Sequence, residues 1–176
     1  MNNILEALNM AIDMEKKGYD IYRQAAGKTA NKLGKSTLEA IAAKELDHIK
    51  AIEEFSERIG AKAPNLDKAI SLINVKEKKN YILPIMEKLK TELETKIKAD
   101  SDLKKAYKVA MGLEKETYNF YKKLSNEASE PQTKKFFEFL MGEENTHYEL
   151  LQETLEYLER PGDWFREKER WIVEGG

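Results

Sequence analysis

Two stretches of the chain carry the same pair of residues at the same spacing, Glu45-x-x-His48 and Glu144-x-x-His147. The chain has 2 histidines, and both sit in these pairs. On a helix a three-residue step keeps both side chains on one face. Each pair therefore offers a carboxylate and an imidazole to a common point. Two further glutamates, Glu15 and Glu114, interrupt apolar faces elsewhere in the chain. Carboxylate oxygen combined with imidazole nitrogen suits iron, manganese, cobalt or zinc. With 0 cysteines, disulfides, thiolate metal sites and thiol nucleophiles are excluded.

All six residues fall on the apolar stripe of their segment. Buried carboxylates are costly unless compensated, and protonating four neighbours together is a strained solution. Two divalent cations balance four glutamates and two neutral histidines to zero. One Glu-x-x-His on a charged helix arises easily by chance. Here a metal-free buried Glu/His network would have to be built twice. We assign Glu45 and Glu144 as bridging ligands. Glu15 with His48 completes one metal and Glu114 with His147 the other, with the pairing left to the packing.

Four amphipathic segments with the 3.5–3.6 period of core-facing helices must position these groups. The first spans about Asn3 to Gly27, with Asn3 as cap, and Gly34 follows its end. The second opens on the Ser36-x-x-Glu39 capping box and stops at Gly60. The third starts near Asp100 or Ser101. The fourth opens at Ser129, with Pro131 in its first turn, and ends before Pro161-Gly162. Short connections flank a long one, residues 61–100, which holds a further helical pattern at Ile85, Leu89, Leu93 and Ile97. Short–long–short is the topology of a ferritin-like bundle with one crossover. The expected fold is all-α, with a bundle over residues 1–160 and a tail over 161–176. The tail's Trp164, Phe165, Trp171 and Ile172 call for burial on the bundle or on another subunit.

The second half of the chain repeats the first. A single shift of 99 places Ala11 on Ala110 and Leu38 on Phe137 without a gap. Under it Glu15 falls on Glu114, Glu45 on Glu144 and His48 on His147. Tyr19 falls on Tyr118 and Tyr22 on Tyr121. The chain is a duplicated helix hairpin. Tyr22 and Tyr121 sit two turns after Glu15 and Glu114 on the same face. They are either core aromatics with a satisfied hydroxyl or donors to the ligand carboxylates. Met10, Met14, Met111 and Met141 read as core filler.

The 176 residues carry a net charge of −2 and 35% charged residues. No cationic surplus exists to attract nucleic acid. Asp13 and Glu15 interrupt the N-terminal apolar run, so it does not read as a signal peptide. No uncharged apolar stretch is long enough to span a membrane, and a cytoplasmic protein is expected.

These motifs together resemble the rubrerythrin branch of the ferritin-like superfamily over roughly residues 1–160. The resemblance rests on Glu15, Glu45-x-x-His48, Glu114, Glu144-x-x-His147, Tyr22 and Tyr121. It implies two iron ions (manganese or zinc being the alternatives) in a four-helix bundle. It also implies reduction of peroxide or dioxygen with electrons from a separate donor such as rubredoxin. The alternatives are a ferroxidase or iron-handling role, and a metal-binding bundle without redox chemistry. A homodimer is expected. Two departures qualify the resemblance. Thr117 stands where such sites usually carry another carboxylate, which implies a more symmetric centre with His48 as a permanent ligand. No cysteine-ligated rubredoxin segment follows the bundle.

Overall fold

Leucine, alanine, lysine and glutamate at three- and four-residue steps favour long helices. The computed structural model describes residues 2–60 and 101–164. It places α1 at Asn2–Lys28, α2 at Lys32–Gly60, α3 at Ser101–Glu127 and α4 at Pro131–Glu159. The helices are 27, 29, 27 and 29 residues long, so the repeat extends to their lengths.

Three expected helix starts are corrected. α1 already includes Asn2, so Asn3 lies inside the helix and does not cap it. α2 begins before Ser36, because Asn31 caps it: the Asn31 side-chain oxygen accepts from the Gly34 amide at 2.8 Å. Gly34 lies inside that helix. A Cβ there would stand 2.9 Å from Leu103 Cδ2, so the absence of a side chain lets α3 approach. The Tyr107 hydroxyl donates to the Gly34 carbonyl at 3.2 Å and fastens the same contact. At α4 the cap position is Glu130 rather than Ser129, with extended backbone and no side-chain capping bond. Pro131 does occupy the first turn, where its missing N–H is no loss.

The tight links at 29–31 and 128–130 force each hairpin antiparallel. α1 packs on α2 and α3 on α4, while α1 lies beside α3 and α2 beside α4. α2 and α3 are diagonal to one another, as the one-crossover topology requires. The helix expected around 85–97 lies outside the described residues.

The interior is layered. One apolar cluster gathers Tyr107, Leu33, Leu38, Leu151 and Trp164 at one end. A second gathers Leu8, Phe55, Phe136, Phe137 and Leu140 at the other. The six sequence-predicted ligands lie buried between them. The repeat is not kept at the two ends. Phe55 and Phe136 stack with centroids 4.1 Å apart. The positions equivalent to them hold Thr154 and Thr37, whose hydroxyls face each other at 3.5 Å.

A short helical turn at 161–164 carries Trp164 back onto the bundle, edge-on to Tyr157 at 5.7 Å. Phe165, Trp171 and Ile172 lie outside the described residues. Met10 is not core filler: it is 57% exposed, as is its repeat equivalent Val109 at 59%. Met14, Met111 and Met141 are partly buried. None of the described helices is long and apolar enough to cross a membrane.

Candidate metal centre

Glu15 on α1, Glu45 and His48 on α2, Glu114 on α3, and Glu144 and His147 on α4 are all buried. Each lies on the inward stripe of its helix, which is why a carboxylate there points into the bundle. The duplicated hairpin brings the two copies together about an approximate two-fold axis. The His48 and His147 rings stack at 5.1 Å across that axis.

His48 Nδ1 lies 3.2 Å from Glu15, 3.3 Å from Glu144 and 3.5 Å from Glu45. His147 Nδ1 lies 3.5 Å from Glu45 and 3.6 Å from Glu114. Glu15 therefore associates with His48, Glu114 with His147, and Glu45 touches both rings. One ligand atom from each of Glu45, His48, Glu144 and His147 falls within 4.8 Å of all the others. That spacing is compatible with a shared metal ion.

Two hydrogen bonds tie the halves together. The Tyr22 hydroxyl donates to Glu114, and the Tyr121 hydroxyl donates to Glu15. Of the two readings of these tyrosines, the structure supports donors to the carboxylates. Each glutamate is held by the tyrosine of the other repeat. Both tyrosines are fully buried. Burial, and then the facing Glu114 or Glu15 charge, pushes their ionisation well above the ordinary phenol range. They stay neutral donors.

The carboxylates respond to crowding in opposite senses. Burial, and then the Glu45 charge, pushes Glu15 up to about 8. Burial, with Glu15 and Glu114 close by, raises Glu144 well above the carboxylate range. Burial alone would raise Glu45 too, but its close approach to Glu15, His147 and His48 outweighs burial and holds Glu45 below that range. Burial alone would lower both imidazoles. The surrounding carboxylates, Glu15 for His48 and Glu114 for His147, raise them instead, His147 to about 9. Protons thus occupy the positions where a cation would neutralise the cluster.

The residues fit a metal on further grounds. Buried Glu114 Oε2, Glu144 Oε1 and His147 Nδ1 make no hydrogen bond, although buried polar atoms are normally paired. All three belong to the carboxylate–imidazole set. Oxygen and imidazole donors are the combination that first-row metals accept.

Thr117 is buried and turns its hydroxyl onto its own helix, donating to the Leu113 carbonyl at 3.2 Å. It adds no donor to the cluster. Glu143, beside Glu144, is a buried carboxylate that the repeat could not flag, because its equivalent is Lys44.

A helical bundle of duplicated hairpins with a carboxylate–histidine cluster at its centre defines the class of ferritin-like proteins with a carboxylate metal centre. The chain belongs to the rubrerythrin family: the family model described as Rubrerythrin matches residues 6–155. Comparison with curated proteins and with solved structures yields no match.

Proposed function

We propose that the chain is a non-haem di-iron redox protein that reduces peroxide, or dioxygen, with electrons from a separate donor. The observation that carries this reading is the division of the cluster about its axis. Glu15 with His48 and Glu114 with His147 form two like half-sites, and Glu45 and Glu144 stand between them. In this reading Glu45 and Glu144 bridge two metals and the other four residues are terminal ligands.

Iron bound there supplies reversible one-electron chemistry at two adjacent centres. The overall balance is hydrogen peroxide plus two protons and two electrons giving two waters, with the electrons returned by the external donor. The protein's part is to fix the geometry and keep the centre dry. Tyr22 and Tyr121 hold the terminal carboxylates in orientation. The apolar clusters above and below exclude bulk water.

Metal content after anaerobic purification, followed by addition of peroxide or dioxygen, tests this reading. Two irons per chain, oxidised by one equivalent of peroxide in preference to dioxygen and re-reduced by rubredoxin, are expected. Continued consumption of added Fe(II) with release of Fe(III) would indicate iron handling instead. Zinc without a redox response would indicate a non-redox bundle.

A further inference from the structure

α1 and α3 carry matching stripes that differ in one respect. On α1, Met10, Met14, Lys17 and Ile21 follow at helical spacing along one side of the helix. Their repeat equivalents on α3 are Val109, Leu113, Glu116 and Phe120. The outer and flanking positions are apolar in both copies. The remaining position holds a cation on α1 and an anion on α3. Leu113 locates the stripes at the seam between the two helices, because a Cβ at Gly18 of α1 would stand 3.6 Å from Leu113 Cδ2.

The outer side of this seam is open. Met10 is 57% exposed and Val109 59%, and Met14, Ile21 and Phe120 are half-buried. Lys17 and Glu116 are exposed, and among the described residues neither takes part in an ion pair. A contiguous apolar stripe on a surface marks a protein-binding face, and the charges set within it select the partner. The size agrees. Helices of 27 residues are about 40 Å long and about 10 Å wide. Side by side they offer on the order of 800 Å², the share that one partner gives to a standard interface.

We propose that the α1–α3 face docks on the same face of a second copy of this chain, in register set by Lys17 and Glu116. When two copies are turned face to face about an axis parallel to the helices, α1 of one lies over α3 of the other. Lys17 then meets the partner's Glu116, and the contact is made twice, as an isologous interface requires. The internal two-fold axis relates Lys17 to Glu116, so this pair occupies the middle of the face, with Met10 and Val109 towards its two ends. A purely apolar partner would leave both charges unpaired. A partner of one charge sign would satisfy one of them and repel the other. A second copy satisfies both. The dimer is independent of the metal-centre reading.

Sedimentation velocity of the full chain across the micromolar range tests this, with circular dichroism to verify that each variant is folded. The wild type is expected to be a dimer. Lys17→Glu sets glutamate against glutamate at both contacts, and Glu116→Lys sets lysine against lysine. Each is expected to weaken self-association about tenfold or more. An equimolar mixture of the two variants restores opposite charges at both contacts and should form a heterodimer of wild-type affinity. Met10→Ser combined with Val109→Ser should also weaken the dimer. Leu46→Ser is the control: Leu46 is an exposed apolar residue on α2, 39% exposed, and its replacement should leave the dimer unchanged. A monomeric wild type, a dimer indifferent to both charge reversals, or a mixture that fails to restore association would each overturn the proposal.

Discussion

Tyr22 donates its hydroxyl to Glu114, a residue 92 positions away on the opposite hairpin. Tyr121 returns the same bond to Glu15. Neither hairpin supplies both the carboxylate and the donor that orients it. The centre is thus assembled by the packing of α1 against α3 as much as by the ligands themselves, and the following predictions start from that dependence.

Tyr22→Phe and Tyr121→Phe should behave alike. Each leaves a buried carboxylate short of a donor, at a cost of about 1–3 kcal/mol in the metal-free protein. Each should also weaken metal binding by about 10–100-fold, the usual consequence of removing a partner that orients a ligand. Denaturant titration and competitive metal titration measure the two effects. A large difference between the two variants would contradict the two-fold arrangement.

Glu45→Ala and His147→Ala should abolish stoichiometric metal binding while the helices persist. Metal analysis together with circular dichroism reads both quantities. Two irons retained in either variant would remove the ligand assignment.

Glu144→Gln separates stability from binding. Burial and neighbouring carboxylates already favour the neutral form of Glu144, so an amide of the same shape should leave the metal-free protein as stable or more so at pH 7. Metal affinity should fall sharply, since an amide brings no charge to the cation. Melting midpoints with and without metal decide it.

The pH dependence of the metal-free protein follows from raised proton affinities. Glu15 moves from 4.5 to about 8 on folding, and His147 from 6.5 to about 9. The folded state then binds more protons than the unfolded one between these values, and stability falls as pH rises. For His147 the stabilisation is complete below 6.5 and gone above about 9. Glu45, held low, acts in the opposite sense only in the acid range. Denaturation midpoints should decline from about pH 5 to pH 9 without metal. With metal the slope should reverse, because the cation displaces those protons.

Phe55→Ala or Phe136→Ala should cost about 3–5 kcal/mol, with the double variant costing less than the sum, because the two rings stack on each other. Equilibrium unfolding of the three variants checks this.

Much of this arrangement was legible in the sequence, because the duplication states it twice. Glu45, His48, Glu144 and His147 occupy equivalent places under one offset, and the structure brings their ligand atoms together. Glu15 lies 3.2 Å from His48 and Glu114 lies 3.6 Å from His147. Other features were not legible. Asn31 rather than Ser36 caps α2, and Gly34 lies inside that helix, where its bare backbone meets Leu103 on α3, a contact that the local sequence does not carry. Met10 sits at helical spacing among apolar residues yet faces outward, since the stripe on α1 is wider than the part that α2 and α3 cover. Glu143 looks like surface charge by composition and is buried by the turn that also buries Glu144.

The exchange of hydrogen bonds between Tyr22 and Glu114 and between Tyr121 and Glu15 has the form of an isologous interface, in which residue i meets j and j meets i. Two separate copies of one hairpin could close the same contacts across a true symmetry axis. In this chain both copies are written into a single polypeptide, so the axis runs through the interior of one molecule. A symmetric assembly must accept every substitution twice. A tandem one can change a single side, and the Phe55–Phe136 stack opposite the Thr37–Thr154 pair records that freedom.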